Sequence, residues 1–170
     1  MSFHKNIVNE LSNNRKVFSR LLKGVPKDFI TWKDDSKRWS LLEIVCHLQD
    51  EEKEDFRARV KSVLEDPKKE LTPIDPQGWV TDRAYATQNY KKKCKAFLKE
   101  RKRSVKWLSS LKDPQWENAF KHAKLGDMSA ELFLSNWLAH DHLHIRQIIK
   151  LKYDYLKATS EQDLSYAGNW

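Results

Sequence analysis

The sequence is poor in the residues that build disulfide-linked and turn-rich proteins. Its 170 residues include only two cysteines, Cys46 and Cys94, which are too few for a disulfide framework. Four glycines and five prolines are too few for an all-β protein whose many short strands are joined by tight turns. We therefore expect a helical protein of the reducing cytosol rather than a secreted disulfide scaffold or a β-barrel.

Long apolar runs are missing as well. None approaches the roughly 20 residues that a membrane-spanning helix needs, and the N-terminus lacks the apolar core of a signal peptide. Seven tryptophans, seven phenylalanines and five tyrosines argue against disorder, although 33% of the residues are charged. A chain of this length can bury a substantial core. These features predict one soluble, cytoplasmic domain over residues 1–170.

The net charge of +8 raises the alternative of a nucleic-acid-binding module. The densest basic stretch consists of Lys91, Lys92, Lys93, Lys95, Lys99, Arg101, Lys102 and Arg103. Cys94, Phe97 and Leu98 interrupt it and supply a buried stripe for the same helix, so the basic residues are predicted to form a solvated outer face. The sequence has no zinc-finger spacing, aromatic RNP-type motif or glycine-rich phosphate loop. Nucleic acid is therefore ranked last among the partners.

Four segments show the periodicity of amphipathic helices, and none shows convincing strand alternation. The segments are approximately 3–23, 40–65, 82–111 and 129–156, followed by a polar tail at 157–170. Ser40 and Glu43 form a capping box that begins the second helix. The connections are about 15 residues long, and at about 3.3 Å per residue each could run the length of a bundle. We predict an all-α four-helix bundle without a sheet.

Three of the six histidines lie on stripes that should face the core. His140 and His144 are four residues apart and therefore lie one above the other on one helical face, while His47 lies beside Leu48. One buried imidazole is easily satisfied by a backbone carbonyl, but three bring more donors and acceptors than apolar stripes can match. Neutral imidazole is a favoured ligand of zinc, nickel, iron and copper. The pattern predicts a three-histidine divalent-metal site, with three hydrogen-bonded core histidines as the alternative.

The segment His140–His144 also matches two other metal patterns. It reads as a zincin helix with aspartate in place of the catalytic glutamate, or as a barrel strand that presents alternate histidines. The absence of a predicted sheet argues against the zincin. The flanking helical periodicity argues against the strand, and it predicts that His142 points away from the other two histidines.

The sequence resembles the DinB-like superfamily around these histidines. The matching segments are Trp39–Glu43 and His47–Asp50 in the second helix, and Gly126, Ser129, His140–His144 and Gln147–Ile148 around the fourth. The resemblance covers approximately residues 3–156. It implies a bundle of up-down-down-up topology that is often dimeric, with a metal bound by one histidine of the second helix and a histidine pair of the fourth. His47, His140 and His144 match these ligand positions one for one.

Members of this superfamily include bacillithiol and mycothiol S-transferases and a mycothiol-dependent isomerase. The resemblance therefore implies a metal-dependent enzyme, with thiol transfer to an electrophile as the leading hypothesis. Zinc and nickel are the first candidates for the metal, followed by iron and manganese, and a low-molecular-weight thiol is the candidate substrate. A metal-dependent hydrolase and a non-enzymatic metal-binding or dimerising bundle remain as alternatives, and the resemblance implies a homodimer.

Three residues outside the triad are candidates for a role in catalysis. Glu51 follows His47 by about one turn, as does Asp50, and either carboxylate could act as a base or orient a ligand. An exposed acidic run is the alternative interpretation of that segment. His122 lies in the predicted loop before the fourth helix, where it could meet a substrate or be an ordinary surface histidine. Three protein ligands would leave one metal position open for a thiol or a water.

Overall fold

A computed structural model of the chain describes residues 2–168 and residue 170. Its helices are α1 (Phe3–Leu21), α2 (Leu41–Asp50), α3 (Arg57–Glu65), α4 (Trp79–Asp82), α5 (Tyr90–Ser110) and α6 (Ala130–Ser160). A π-helical segment, Glu51–Phe56, joins α2 directly to α3, so that α2 and α3 form one long helix. Together with α1, α5 and α6 this helix makes the predicted four-helix bundle, which is confirmed.

The bundle core consists of two apolar clusters. The first cluster contains Leu11, Phe56, Leu108 and Trp137 among its members. The second cluster contains Phe18, Leu48, Phe97 and Ile148 among its members. Following each helix from its N-terminus, α1 and α6 run from the first cluster to the second, whereas α2–α3 and α5 run from the second to the first. The helix directions are therefore up, down, down and up, as the resemblance implied.

This topology requires one connection to cross the length of the bundle. The chain from Glu65 to Tyr90 starts beside the first cluster and ends beside the second, whereas the other two connections join helix ends at the same side. The crossing connection includes α4, whose Trp79 packs with Leu42 and Cys46 of α2. Only one of the three long connections is therefore used as a crossover.

Side-chain caps set the helix starts. The Oγ of Ser40 accepts the backbone N–H of Glu43, and the Glu43 carboxylate accepts the backbone N–H of Ser40, which confirms the predicted capping box. The third bundle helix begins at Tyr90 rather than at residue 82, which corrects the sequence prediction. Ala84 has a left-handed conformation with φ 46° that interrupts the helical pattern, and Asn89 then caps α5.

The prediction that the chain has no sheet is wrong for one short segment. Strands β1 (Ala119–His122) and β2 (Gly126–Ser129) pair antiparallel as a hairpin between α5 and α6. Gly126 begins β2 with φ 75°, a conformation that favours glycine. Strands of four residues are too short to produce a recognisable alternation in the sequence.

A layer of polar side chains separates the two apolar clusters. Each long helix contributes one residue to this polar layer: Asn14, Glu52, Arg101 and Asp141. Arg101 binds Glu52 at 2.8–2.9 Å and Asp141 at 2.6 Å, and all three side chains are at most 1% exposed. The prediction that the whole basic stretch of α5 faces solvent is therefore wrong for Arg101, because Glu52 and Asp141 neutralise its buried charge.

In the described part of the chain, no helix combines the length and apolarity needed to cross a membrane.

Candidate metal centre

Two neighbouring helices bring the three predicted histidines together. His47 projects from α2, and His140 and His144 project from successive turns of α6. The Nε2 atom of His140 lies 3.1 Å from Nε2 of His47 and 3.0 Å from Nε2 of His144. Zinc–nitrogen bonds of about 2.0–2.1 Å in tetrahedral geometry imply nitrogens about 3.3 Å apart. The spacing of the nitrogens fits such an ion, and the described residues contain no other such group of His, Cys, Asp or Glu.

The imidazoles are in the protonation state that metal binding requires. Burial lowers the pKa of His47 to about 3 and that of His144 to about 4, and burial with the neighbouring histidines lowers that of His140 to about 2. All three rings are therefore neutral at pH 7. The Nδ1–H of His144 donates to Oε1 of Gln147 at 2.7 Å. Because an amide oxygen only accepts, this bond leaves a lone pair on Nε2 of His144.

Aromatic side chains enclose the cluster on two sides. The ring of Trp39 lies 4.7 Å from that of His47, and the ring of Phe56 lies 4.9 Å from that of His140. These contacts restrict the orientation of both imidazoles and exclude water from their edges. They also explain the strong effect of burial on the histidine pKa values.

A cleft of about 930 Å³ adjoins the cluster. Its walls include all three histidines, together with Trp39, Glu51 and Leu143. Nδ1 of His47 and Oε1 of Glu51 are buried and have no hydrogen-bond partner among the described residues. Native proteins leave few buried polar atoms unpaired, and a functional role or a bound ion is among the explanations of such an atom. The three nitrogens therefore adjoin a space in which a small molecule fits.

The structure places the candidate base Glu51 in this cleft. Glu51 is the first residue of the π-helical segment, and its side chain is 4% exposed. Burial and, to a smaller extent, the neighbouring Asp55 together raise the pKa of Glu51 to about 8. The next residue, Glu52, points into the polar layer instead. The alternative interpretation of this segment as an exposed acidic run is therefore wrong for both glutamates, because each is buried.

Two other candidates lie away from the histidine cluster. Asp50 accepts the hydroxyl of Tyr85 at 2.7 Å and binds Arg83 at 2.8 Å, so it anchors the crossing connection rather than a histidine. His122 lies in β1, outside the walls of the cleft. Its Nδ1 accepts the backbone N–H groups of Lys124 and Leu125, each at 3.1 Å. His122 therefore stabilises the hairpin turn and does not meet a molecule bound at the three histidines.

Sequence reasoning missed the contacts that support the cluster. Gln147 follows His144 by three residues on the same helical face, and this spacing could have identified it. Asp141 gave no such signal, because its burial depends on Arg101, which comes from another helix. His142 is exposed, as the helical periodicity predicted.

Two comparisons with known proteins agree with this architecture. The model of the DinB superfamily matches residues 10–148, a range that includes all three histidines. The fold is similar to that of YfiT from Bacillus subtilis, described as a probable metal-dependent hydrolase with an unusual four-helix bundle topology. The TM-score is 0.79 with 18% identity, over 91% of this chain and 90% of that chain. No curated protein sequence gives a significant match.

Proposed function

This chain belongs to the DinB superfamily, and on that premise we propose that it is a metal-dependent enzyme that joins a small thiol to an electrophile. The observation that carries the proposal is the convergence of three neutral imidazoles beside a cleft, with Nε2 of His140 lying 3.1 Å from that of His47 and 3.0 Å from that of His144. A divalent metal held by three imidazoles supplies a Lewis acid that lowers the pKa of a thiol or a water at its open position.

The three histidines would hold the metal, and their neighbours would fix their orientation. Nε2 of His47, His140 and His144 would be the ligand atoms, because these atoms converge, and Gln147 would keep His144 in the tautomer that presents Nε2. An all-imidazole donor set suits zinc and nickel, with iron and manganese as further candidates. The set includes no carboxylate or thiolate, so the ligands leave the charge of the ion uncompensated and favour an anionic nucleophile.

Glu51 is the proposed proton acceptor. Its carboxyl group lines the same cleft, and its pKa of about 8 lies close to the value of about 8.5 for a free thiol. At pH 7 the metal-free protein holds this carboxyl group mostly protonated, and a divalent cation at the three histidines would favour the carboxylate form that accepts the proton. In the transfer step the thiol proton passes to Glu51 and a sulfur–carbon bond forms. The leaving group departs from that carbon with the bonding electron pair.

Hydrolysis is the second candidate function, because YfiT, which shares the fold, is described as a probable metal-dependent hydrolase. The same Glu51 carboxylate would then take its proton from a water molecule in the cleft. The two functions differ in their dependence on a second substrate. Transfer requires an added thiol and forms a thioether, whereas hydrolysis proceeds with water alone.

The metal assignment is tested by elemental analysis of protein purified without an affinity tag or chelator. We expect about one divalent ion per chain in the wild type and a loss of most of it in His47→Ala and His140→Ala. His142→Ala is the matched control, since His142 lies on the same helix but is exposed, and it should keep its metal. Equal metal content in the wild type and in all three variants would show that the ligand assignment is wrong.

The reaction is tested with a panel of small thiols and a chlorinated model electrophile, in the presence of zinc, nickel, iron or manganese. The metal-loaded wild type should form the thioether. Glu51→Gln should lower the rate by about 100-fold or more without losing metal. Product formation without any thiol would favour the hydrolase. A rate that is equal with and without metal would contradict both functions.

A further inference from the structure

Basic side chains line the cleft on two sides. Lys37 and Arg38 come from the loop before α2, and Arg146 and Lys150 come from α6. Because a helix rises about 1.5 Å per residue, Arg146 lies about 3 Å and Lys150 about 9 Å beyond His144 along the helix axis. Positive charge therefore lies within the reach of a small molecule whose other end is at the histidines.

This positive charge is only partly compensated within the protein. Arg38 pairs with Asp34 at 3.0 Å, and Lys150 pairs with Asp154. Arg146 and Lys37, in contrast, have no side-chain hydrogen bond or ion pair with any residue that the structure describes. Two cations on the wall of a cleft are thus available to an anionic ligand.

Aromatic rings hold Lys150 at the same cleft. Its ammonium group lies 5.7 Å from the ring centre of Trp170, another wall residue, and 5.8 Å from that of Tyr153. The two rings stack on each other at 5.4 Å. Cation–π contacts of this kind limit the freedom of a lysine side chain and reduce the entropy that it loses on binding. This arrangement distinguishes Lys150 from the freely solvated lysines of a basic protein.

We propose that Lys37, Arg38, Arg146 and Lys150, here called the basic rim, bind a carboxylate or phosphate group of the substrate. Arginine presents paired donors that match both anions, and lysine adds a point charge. The inference deepens the function proposed above and depends on it only for the assignment of the reacting end of the substrate. The substrate class is therefore a small molecule with a reactive thiol or electrophilic group at one end and an anionic group about 3–9 Å away along the direction of α6.

The test is an NMR titration of the metal-free, ¹⁵N-labelled protein with mercaptosuccinate and with 1-thioglycerol. Both probes are small thiols, but only mercaptosuccinate carries carboxylates. We expect mercaptosuccinate to bind at least tenfold more tightly and to shift the amide signals around Arg146 and Lys150. Competition by succinate and by inorganic phosphate then identifies which anion the basic rim prefers.

Variants separate the basic rim from the overall charge. Arg146→Gln should weaken mercaptosuccinate binding roughly five- to tenfold and leave 1-thioglycerol unchanged. Arg20→Gln is the matched control, because it removes the same charge from an exposed position on α1, outside the cleft. Lys37→Gln, in the loop before α2, is a second test that does not alter a helix. The NMR spectrum itself shows whether each variant is folded.

Equal binding of the two thiols, or equal weakening of mercaptosuccinate binding by Arg146→Gln and Arg20→Gln, would show that the basic rim is not an anion-binding site. This result is obtained on metal-free protein and is thus separate from the metal analysis. If the protein prefers mercaptosuccinate but does not retain metal, the anion site is supported and the proposed enzyme function is contradicted. If the protein retains metal but does not prefer mercaptosuccinate over 1-thioglycerol, the proposed enzyme function stands and the anion site is contradicted.

Discussion

Glu51 is a buried carboxyl group whose ionisation couples folding to pH. Burial, with Asp55 nearby, raises its pKa to about 8 in the folded metal-free protein, from 4.5 when it is exposed. A raised pKa in the folded state contributes stability that is fully present below pH 4.5. Between pH 4.5 and 8 the unfolded state loses the proton more readily, so that this contribution declines as the pH rises.

We therefore predict that Glu51→Gln stabilises the metal-free protein relative to the wild type at pH 8, but not at pH 4.5. The neutral amide avoids the cost of a buried carboxylate, which is on the order of a few kcal/mol. Urea unfolding across this pH range measures the difference. Glu65→Gln, at an exposed helix end, should show almost no pH-dependent difference from the wild type. A Glu51→Gln effect that does not change with pH would be incompatible with the raised pKa.

Gln147 controls the tautomer of one proposed ligand. If Gln147→Leu removes the acceptor of the His144 Nδ1–H, the ring can rotate or present the wrong nitrogen. We expect metal affinity to fall about 10- to 100-fold, as for other residues that orient a metal-binding histidine. Competition with a chelator of known affinity measures the change. Gln49→Leu, whose amide contacts Asp50 rather than a histidine, should leave the affinity unchanged.

At the scale of single residues, the sequence identified the candidate metal ligands but did not predict which charged side chains are buried. His47, His140 and His144 were identified because helical spacing alone aligns them with apolar neighbours. The burial of Arg101 and Asp141 could not be predicted, because a charged side chain is buried only when its partner arrives from another helix. No periodicity within one helix contains this information.

At the scale of elements, the starts of two helices were predictable and two irregular segments were not. Ser40 and Ser129 are side-chain caps, which local sequence specifies. The π-helical segment Glu51–Phe56 has no signature of its own, since it differs from an α-helix only in the backbone partner of each N–H. The hairpin of β1 and β2 has four-residue strands, which are too short for their alternation to exceed chance.

The capping box of α2 connects element stability to the site. Ser40 is 2% exposed, and its bonds with Glu43 fix the start of the helix that presents His47. Ser40→Ala should lower the free energy of unfolding by about 1 kcal/mol, because it leaves a buried N–H group without its acceptor. Urea unfolding of the metal-free protein measures this loss. Ser110→Ala, exposed at the end of α5, should change stability by less than about 0.5 kcal/mol. Equal effects would exclude a special role for the cap.

At the scale of the whole molecule, the polar layer relates the four helices to one another. Arg101 of α5 binds Glu52, Asp141 and the backbone carbonyl of Leu11, and it therefore contacts each of the other three long helices. Asn14 of α1 also donates to Asp141 at 3.1 Å. A helix that slid by one turn would leave these charges unpaired in the core. The layer therefore fixes helix register, which two apolar clusters alone would specify weakly.

The layer also lies directly behind the candidate site. Asp141 follows His140 in α6, and Glu52 follows Glu51 in the π-helical segment, so one side chain of each pair enters the core while the other faces the cleft. The indole N–H of Trp137 donates to Glu52 at 2.9 Å and adds a second anchor for α6. Displacement of the layer would therefore displace the site.

The charges in this layer compensate one another in the bundle core. Arg101→Met should lower the free energy of unfolding by roughly 3–5 kcal/mol, because it leaves the carboxylates of Glu52 and Asp141 buried without a counter-charge. The triple variant E52Q/R101M/D141N should recover at least half of the loss, because its amide oxygens still accept from Trp137 and Asn14. Urea unfolding measures the stability of the metal-free wild type, of Arg101→Met and of the triple variant. A triple variant no more stable than Arg101→Met would show that the role of Arg101 is packing and not charge compensation.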